Sequence, residues 1–378
     1  MQDLKSASSM IEFTRACARS DDVVVINAVM TGSDVYAPES RIFRFEHDAR
    51  IGEQWYYDDF DFHMQDITLF SNPEIDATTD YLTYMSSEGD VYHAWWKGNF
   101  REKILGAGTW VADAKGHGRM SAITQVGGKL YACGQGGQIY RRHGRDSWSL
   151  LTDRLLFDMA SYLKKKEGRP RTDDPDYLSW LRDFQKQAPK NISLNAIKGF
   201  SEDAIYLCGS EGPRPVLYFW DGSELHELKV YLEEAALTGI HIEHADSVWI
   251  CGREGVLLHG SYARGFTPVN LRQQLNLFHM ITPYRGKLIL PSSVRPGGLF
   301  ELAPGTSDLR RFSPALPKLR GEYIFYAGAV GDVLWVVGQK DIFRFDGNEW
   351  ERIELLIFRT RHLLPTGVAD ARPDGAAA

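Results

Sequence analysis

The string His241-Ile242-Glu243-His244 carries the most metal-like chemistry in the sequence. Imidazole and carboxylate are ordinary ligands of zinc and related ions. In an extended strand successive side chains alternate, so His241 and Glu243 would share one side and His244 would take the other. A third ligand would come from His279, which falls on the corresponding strand of the next repeat described below. His241, Glu243 and His279 are therefore the candidate metal set. Polar residues that face a channel and bind water are the commoner outcome of such a pattern, and no metal or cofactor is expected.

Other reactive residues lack a matching context. Cys133, Cys208 and Cys251 each precede a glycine, but four cysteines among 378 residues are too few for a disulfide scaffold. Equivalent positions on successive repeats should lie farther apart than the ~7 Å that a disulfide spans. Val337 fills the same slot in another repeat, so the position wants a small buried apolar side chain. Gly134-Gln135-Gly136-Gly137 and Gly106-Ala107-Gly108 open no helix after a parallel strand, as a phosphate loop requires, and read as turn glycines. Nucleophile-elbow, zincin and Cys-x-x-Cys motifs are absent. A glycosidase needs two opposed carboxylates. Asp59, Asp61 and Asp66 offer one side, and no convincing partner faces them.

An internal repeat supplies the frame that positions these residues. Four segments end a strand with one signature: Tyr131-Ala132-Cys133-Gly134, Tyr206-Leu207-Cys208-Gly209, Trp249-Ile250-Cys251-Gly252 and Trp335-Val336-Val337-Gly338. Cys208 and Cys251 are 43 residues apart, and Cys251 to Val337 spans 86, two such periods. Cys133 to Cys208 spans 75, one period plus an insertion. A period in the low forties belongs to propeller blades of four antiparallel strands. The turn Asp346-Gly347-Asn348-Glu349-Trp350 contains the Asp-Gly pair that type I′ hairpins favour, since both central residues there need positive φ. Asp221-Gly222-Ser223 occupies a corresponding place. Blades fall at roughly 21–59, 60–108, 119–153, 191–230, 237–271, 278–315 and 323–356, with Ile11–Arg15 available as the first strand of the opening blade. Strands such as Ala204-Ile205-Tyr206-Leu207-Cys208 are apolar on both sides, as sheets packed between two neighbours require.

The pattern resembles the β-propeller superfamily of WD40, kelch and sialidase-like repeats over nearly the whole chain. The Asp346–Trp350 turn is similar to a degenerate Asp-box of sialidase-like blades. This resemblance implies the architecture and carries no functional residue across. The expectation is an all-β protein, a single propeller of about seven four-stranded blades over residues 1–370, with a disordered tail at 371–378. Residues 154–190 interrupt the blades. Apolar residues there recur at helical spacing, including Tyr177, Trp180, Leu181 and Phe184, so a helical insertion is predicted.

Composition agrees with this reading. Aromatic residues reach 12% and glycine numbers 35, a mixture suited to strands joined by tight turns. A net charge of -7 argues against attraction of the whole surface to nucleic acid or anionic membrane. No apolar run is long enough for a signal peptide or a membrane span, so a cytoplasmic location is expected.

Blade topology places the second-to-third strand loops and the connections between blades on one face. Gln135, Arg214, Arg253, Arg295 and Lys340 should sit there beside the insertion, with Asp34, Glu39, Glu88 and Asp90 forming an acidic arc opposite the basic one. Tyr177 and Trp180 are candidate anchors for a partner. The function these features favour is non-catalytic protein binding by a monomer, as in an inhibitor or an immunity protein that sequesters a specific partner. The alternative is a carbohydrate-active hydrolase or lyase with its site in the central channel.

Overall fold

Seven four-stranded antiparallel meanders form the body of the protein, described by a computed structural model. The structure describes residues 11–30, 39–71, 80–95, 98–271, 277–293, 297–303, 305–355 and 361–362. The inner strands run Ile11–Ala18, Met64–Ser71, Met120–Val126, Ile192–Ser201, Leu237–His244, Thr282–Tyr284 and Ile324–Val330 in blades one to seven. Ile11–Ala18 does open the first blade. Its outer strand, Trp55–Phe60, also pairs in parallel with Arg361–His362, a fifth strand that the repeat pattern does not signal.

Burial on both strand faces has a direct consequence. The buried apolar residues divide into seven clusters, one in each interface between adjacent blades. Cys133 packs into the cluster between blades three and four, Cys208 between four and five, and Cys251 between five and six. Val337 takes the same role where the last blade meets the first. All three cysteines are fully buried and free, and burial pushes each thiol well above its usual range. These cysteines fill the small, buried apolar slot that the repeat predicts. A thiol reagent added to native protein should leave Cys133, Cys208 and Cys251 unmodified and should label them rapidly in denaturant, which a mass-resolved alkylation time course would report.

The glycine that ends each signature has a specific cause. A Cβ on Gly134, Gly209, Gly252 or Gly338 would lie 2.5, 1.8, 2.4 or 2.6 Å from the carbonyl oxygen of Arg119, Ser193, Ala236 or Tyr323. Each of these oxygens lies at or just before the start of its blade's inner strand, and none of the four glycines has positive φ. Close backbone approach, not turn geometry, selects glycine here. Gly209→Ala should therefore destabilise the fold by about 1–3 kcal/mol, measured by urea unfolding. Gly98→Ala, where no heavy atom lies within 4 Å, is the control.

The recurrent turn corrects one detail of the sequence reading. Only Gly347 of its turn has positive φ, so Asp346-Gly347 is not a two-residue type I′ turn. The loop spans four residues, and the Asp346 carboxylate accepts the N–H groups of Asn348 and Glu349 at 2.8 and 2.9 Å. Asp221 does the same for Ser223 and Glu224 at 2.8 and 2.7 Å. The carboxylate caps the loop, which relaxes the demand for a second left-handed residue.

The 154–190 segment lies between blades three and four and holds two helices, Met159–Lys166 and Tyr177–Gln187. Asp158 caps the first by accepting the Ser161 N–H at 2.9 Å. No residue of either helix is fully buried. No described helix is long and apolar enough to cross a membrane.

Candidate partner-binding face

Antiparallel order puts the loops after the second strands on the same face as the connections between blades, and hydrogen bonds join the two sets. Phe157 donates its N–H to the Gly136 carbonyl at 2.9 Å, and Ala235 donates to the Pro213 carbonyl at 2.9 Å. Phe157 is itself buried and roots the insertion on the disc. Beyond that root the aromatic residues pack on one another. Tyr177 stacks on Trp180 at 6.1 Å, Trp180 on Phe184 at 5.0 Å, and Phe184 meets Tyr162 edge-on at 5.6 Å. Tyr177 and Trp180 remain half-exposed. They stiffen the insertion and still present aromatic surface to solvent.

Large exposed apolar side chains concentrate on this face. Leu105 and Trp110 are 72% and 80% exposed in the connection before blade three, and Tyr231 is 79% exposed in the connection before blade five. Between them lie Met159, Leu163 and Leu178 of the insertion, also exposed. Three consecutive connections thus form an apolar arc, whereas Ile51, Phe200 and Tyr262 belong to the opposite face. Large apolar side chains exposed together on one face mark an interaction site more often than ones scattered singly. The sequence pattern pointed to the insertion and to the loop residues Gln135, Arg214, Arg253, Arg295 and Lys340, not to this arc. Its missed signal was a large apolar residue, Trp110 or Tyr231, inside a connection with no strand pattern to satisfy.

The expected polarised charge is largely absorbed locally. Arg214 pairs with Glu211 and, at 2.9 Å, with Glu227, and these carboxylates raise its pKa further. Asp90 is buried; desolvation alone would raise its pKa, but Arg101 at 2.8 Å and Lys103 at 3.5 Å pull it below the usual value. Glu88 accepts the N–H groups of Thr109 and Trp110 at 2.7 and 2.9 Å, so it positions the Trp110 loop. Lys340 is half-buried, while Arg295 and Asp34 lie outside the described residues. Of the four loop residues assigned to this face that are described, only Gln135 and Arg253 come together, at a cavity on the ring axis.

That cavity has a volume of about 1000 Å³ and is lined by the inner strands of the blades. His241 and His279 line it, and Glu243 does not. The ladder slips between Ile242 and His244, so strict alternation ends there. Glu243 accepts from the Ser247 hydroxyl at 2.6 Å instead. Among the described residues the one trio with ligand atoms mutually within 4.8 Å is Asp22, His47 and Asp48 on the opposite face; those of His241, Glu243 and His279 are not gathered to that distance. Asp66 is the one carboxylate lining the cavity, and Asp59 pairs with Arg41 on the outer strands of the first blade. The opposed carboxylates of a glycosidase are not assembled there.

His279 gives the cavity a pH signature. Burial, with the positive charges of Arg15 and Arg253, lowers its pKa from 6.5 to about 4. Between those values the unfolded chain binds a proton at His279 that the folded chain does not. Stability from this residue is full above pH 6.5 and falls as pH drops toward 4, by at most about 3 kcal/mol. His279→Asn should therefore lose less stability than the wild type between pH 7 and pH 4.5, by urea unfolding at each pH.

The fold is a seven-bladed β-propeller. No protein-family model matches the chain. Among solved structures it is similar to a catalytically inactive virginiamycin B lyase from Staphylococcus aureus with quinupristin, at TM-score 0.59 and 10% identity over 88% of this chain and 94% of that one. YCF48 from Cyanidioschyzon merolae follows at TM-score 0.56 and 12% identity, with the same coverage. At such identities the likeness concerns the fold. Among curated proteins the chain is similar to Immune protein Tsi7 of Pseudomonas aeruginosa, 24% identical over 287 residues, which is 76% of this chain and 80% of that protein.

Proposed function

We propose that this chain is an immunity-type propeller that binds and neutralises one specific protein, using the face that carries the insertion. The observation that carries the reading is the similarity to Immune protein Tsi7, which extends over most of both chains. The exposed arc from Leu105 through the insertion to Tyr231 supports it from the structure, since six of the nine large exposed apolar side chains among the described residues lie there. Trp110, Tyr231 and Trp180 are the anchors, large side chains that bury much area at low entropic cost. The disc holds the three connections in fixed relation, and this rigidity limits the ordering cost of docking. The protein acts as a monomer in the cytoplasm, where it meets its partner.

Two linked measurements test this. Capture from native lysate should yield one stoichiometric protein, and expression of that protein alone should impair growth that co-expression of this chain restores. A captured protein with no effect on growth would leave binding in place and remove the immunity reading.

A further inference from the structure

The axial cavity carries charge of the wrong sign for its protein. The chain has a net charge of -7, yet the charged residues lining the cavity are Arg15, Lys198 and Arg253 against the lone carboxylate of Asp66. None of the three cations makes an ion pair within 4.0 Å among the described residues. The Arg15 side chain donates to the Thr14 carbonyl at 2.8 Å and Lys198 to the Thr124 hydroxyl at 3.2 Å, both neutral acceptors. Asp66 is engaged, accepting the Ile123 N–H at 2.9 Å.

The two histidines point the same way. His241 and His279 line the cavity, and the Nε2 atom of each is buried without a hydrogen-bond partner. A buried polar atom left unpaired calls for an explanation, and a missing ligand is one. Burial keeps both imidazoles neutral near pH 7, so each can present one N–H donor. Clefts lined by one sign of charge focus their field and concentrate counter-ions. A cavity of about 1000 Å³ exceeds what a single ion fills and suits a small organic or condensed anion.

We propose that the propeller channel binds a compact, multiply charged oxyanion, held by Arg15, Lys198 and Arg253 with N–H donation from His241 and His279. The guanidinium groups offer planar paired donors to phosphoryl or carboxylate oxygens, and Lys198 adds a point charge. This site is independent of the apolar arc, so the two can fail separately.

The test is calorimetric titration of the full chain at pH 7, in a buffer free of phosphate, with pyrophosphate and with citrate. Glucose serves as the uncharged control. One equivalent of at least one anion should bind with saturable heat, and the tighter of the two names the class. Arg15→Gln and Lys198→Met should each weaken that binding at least tenfold. Arg253→Gln, at an exposed position, tests the same site with little risk to folding. Thermal unfolding of each variant separates lost binding from lost fold. Absence of saturable binding by both anions would overturn the proposal, as would affinity unchanged in folded Arg15→Gln and Arg253→Gln.

Discussion

Arg142→Ala should destabilise the propeller by about 3–5 kcal/mol, among the largest single-residue effects expected in this molecule. Glu102 lies in the outer strand of blade two, Gly98–Lys103, and Arg142 in the third strand of blade three, Ile139–Gly144. Their side chains are 0% and 4% exposed. Arg142 Nε donates to both Glu102 oxygens at 3.1 and 3.0 Å, and Nη2 donates at 2.7 Å. Trp148 Nε1 adds a donor to the same carboxylate at 2.9 Å, and His93 Nε2 lies 3.7 Å away. Burial alone would raise the Glu102 pKa, but these partners hold it far below the usual value. Removing Arg142 leaves a buried carboxylate without its guanidinium counter-charge. Glu102→Leu combined with Arg142→Met should cost less than Arg142→Ala, because it removes both charges and keeps volume. Urea unfolding at pH 7 measures both, and a loss under 1 kcal/mol for Arg142→Ala would mean that water reaches the pair.

The second large effect is on binding. Excising residues 159–187, with a short Gly/Ser linker from Asp158 to Ala188, should leave the propeller folded and weaken partner affinity roughly a hundredfold or more. Neither helix has a buried residue, so little core is lost. The cut must spare Leu155 and Phe157, which pack on the disc. A deletion of 155–189, natural from the sequence alone, would open a cavity at the root and confuse folding with binding. Losing Trp180 together with the half-exposed Tyr177, at about 2 kcal/mol each, accounts for the expected factor. An unchanged melting temperature with unchanged affinity would place the partner elsewhere.

The blades were legible because their constraint is local and repeated. An aromatic-x-Cys-Gly strand end reports two buried faces and one close backbone contact, and each is visible in residue type at Gly209 or Gly252. Three features that escaped the sequence depend on distant partners. Arg214 reads as a free rim cation until Glu211 is found opposite it across the ladder, with Glu227 of the next strand 2.9 Å away. Glu243 reads as a channel ligand until the bulge at Ile242–His244 hands it to Ser247. The unpaired charges of Arg15 and Lys198 are invisible until seven inner strands are arranged around one axis. Trp110 was findable, since no periodicity explains a tryptophan in a Gly-rich connection.

The central claim is that a protein partner docks on one face of the disc. Its most direct measurement is the affinity of the captured partner for two triple variants, one on each face, compared with the wild type. The first combines Trp110→Ala, Trp180→Ala and Tyr231→Ala on the apolar arc. The second combines Ile51→Ala, Phe200→Ala and Tyr262→Ala on the opposite face. The account predicts at least a hundredfold loss for the first, with wild-type affinity for the second. Full affinity in a folded arc variant, with loss in the opposite-face variant, would contradict it.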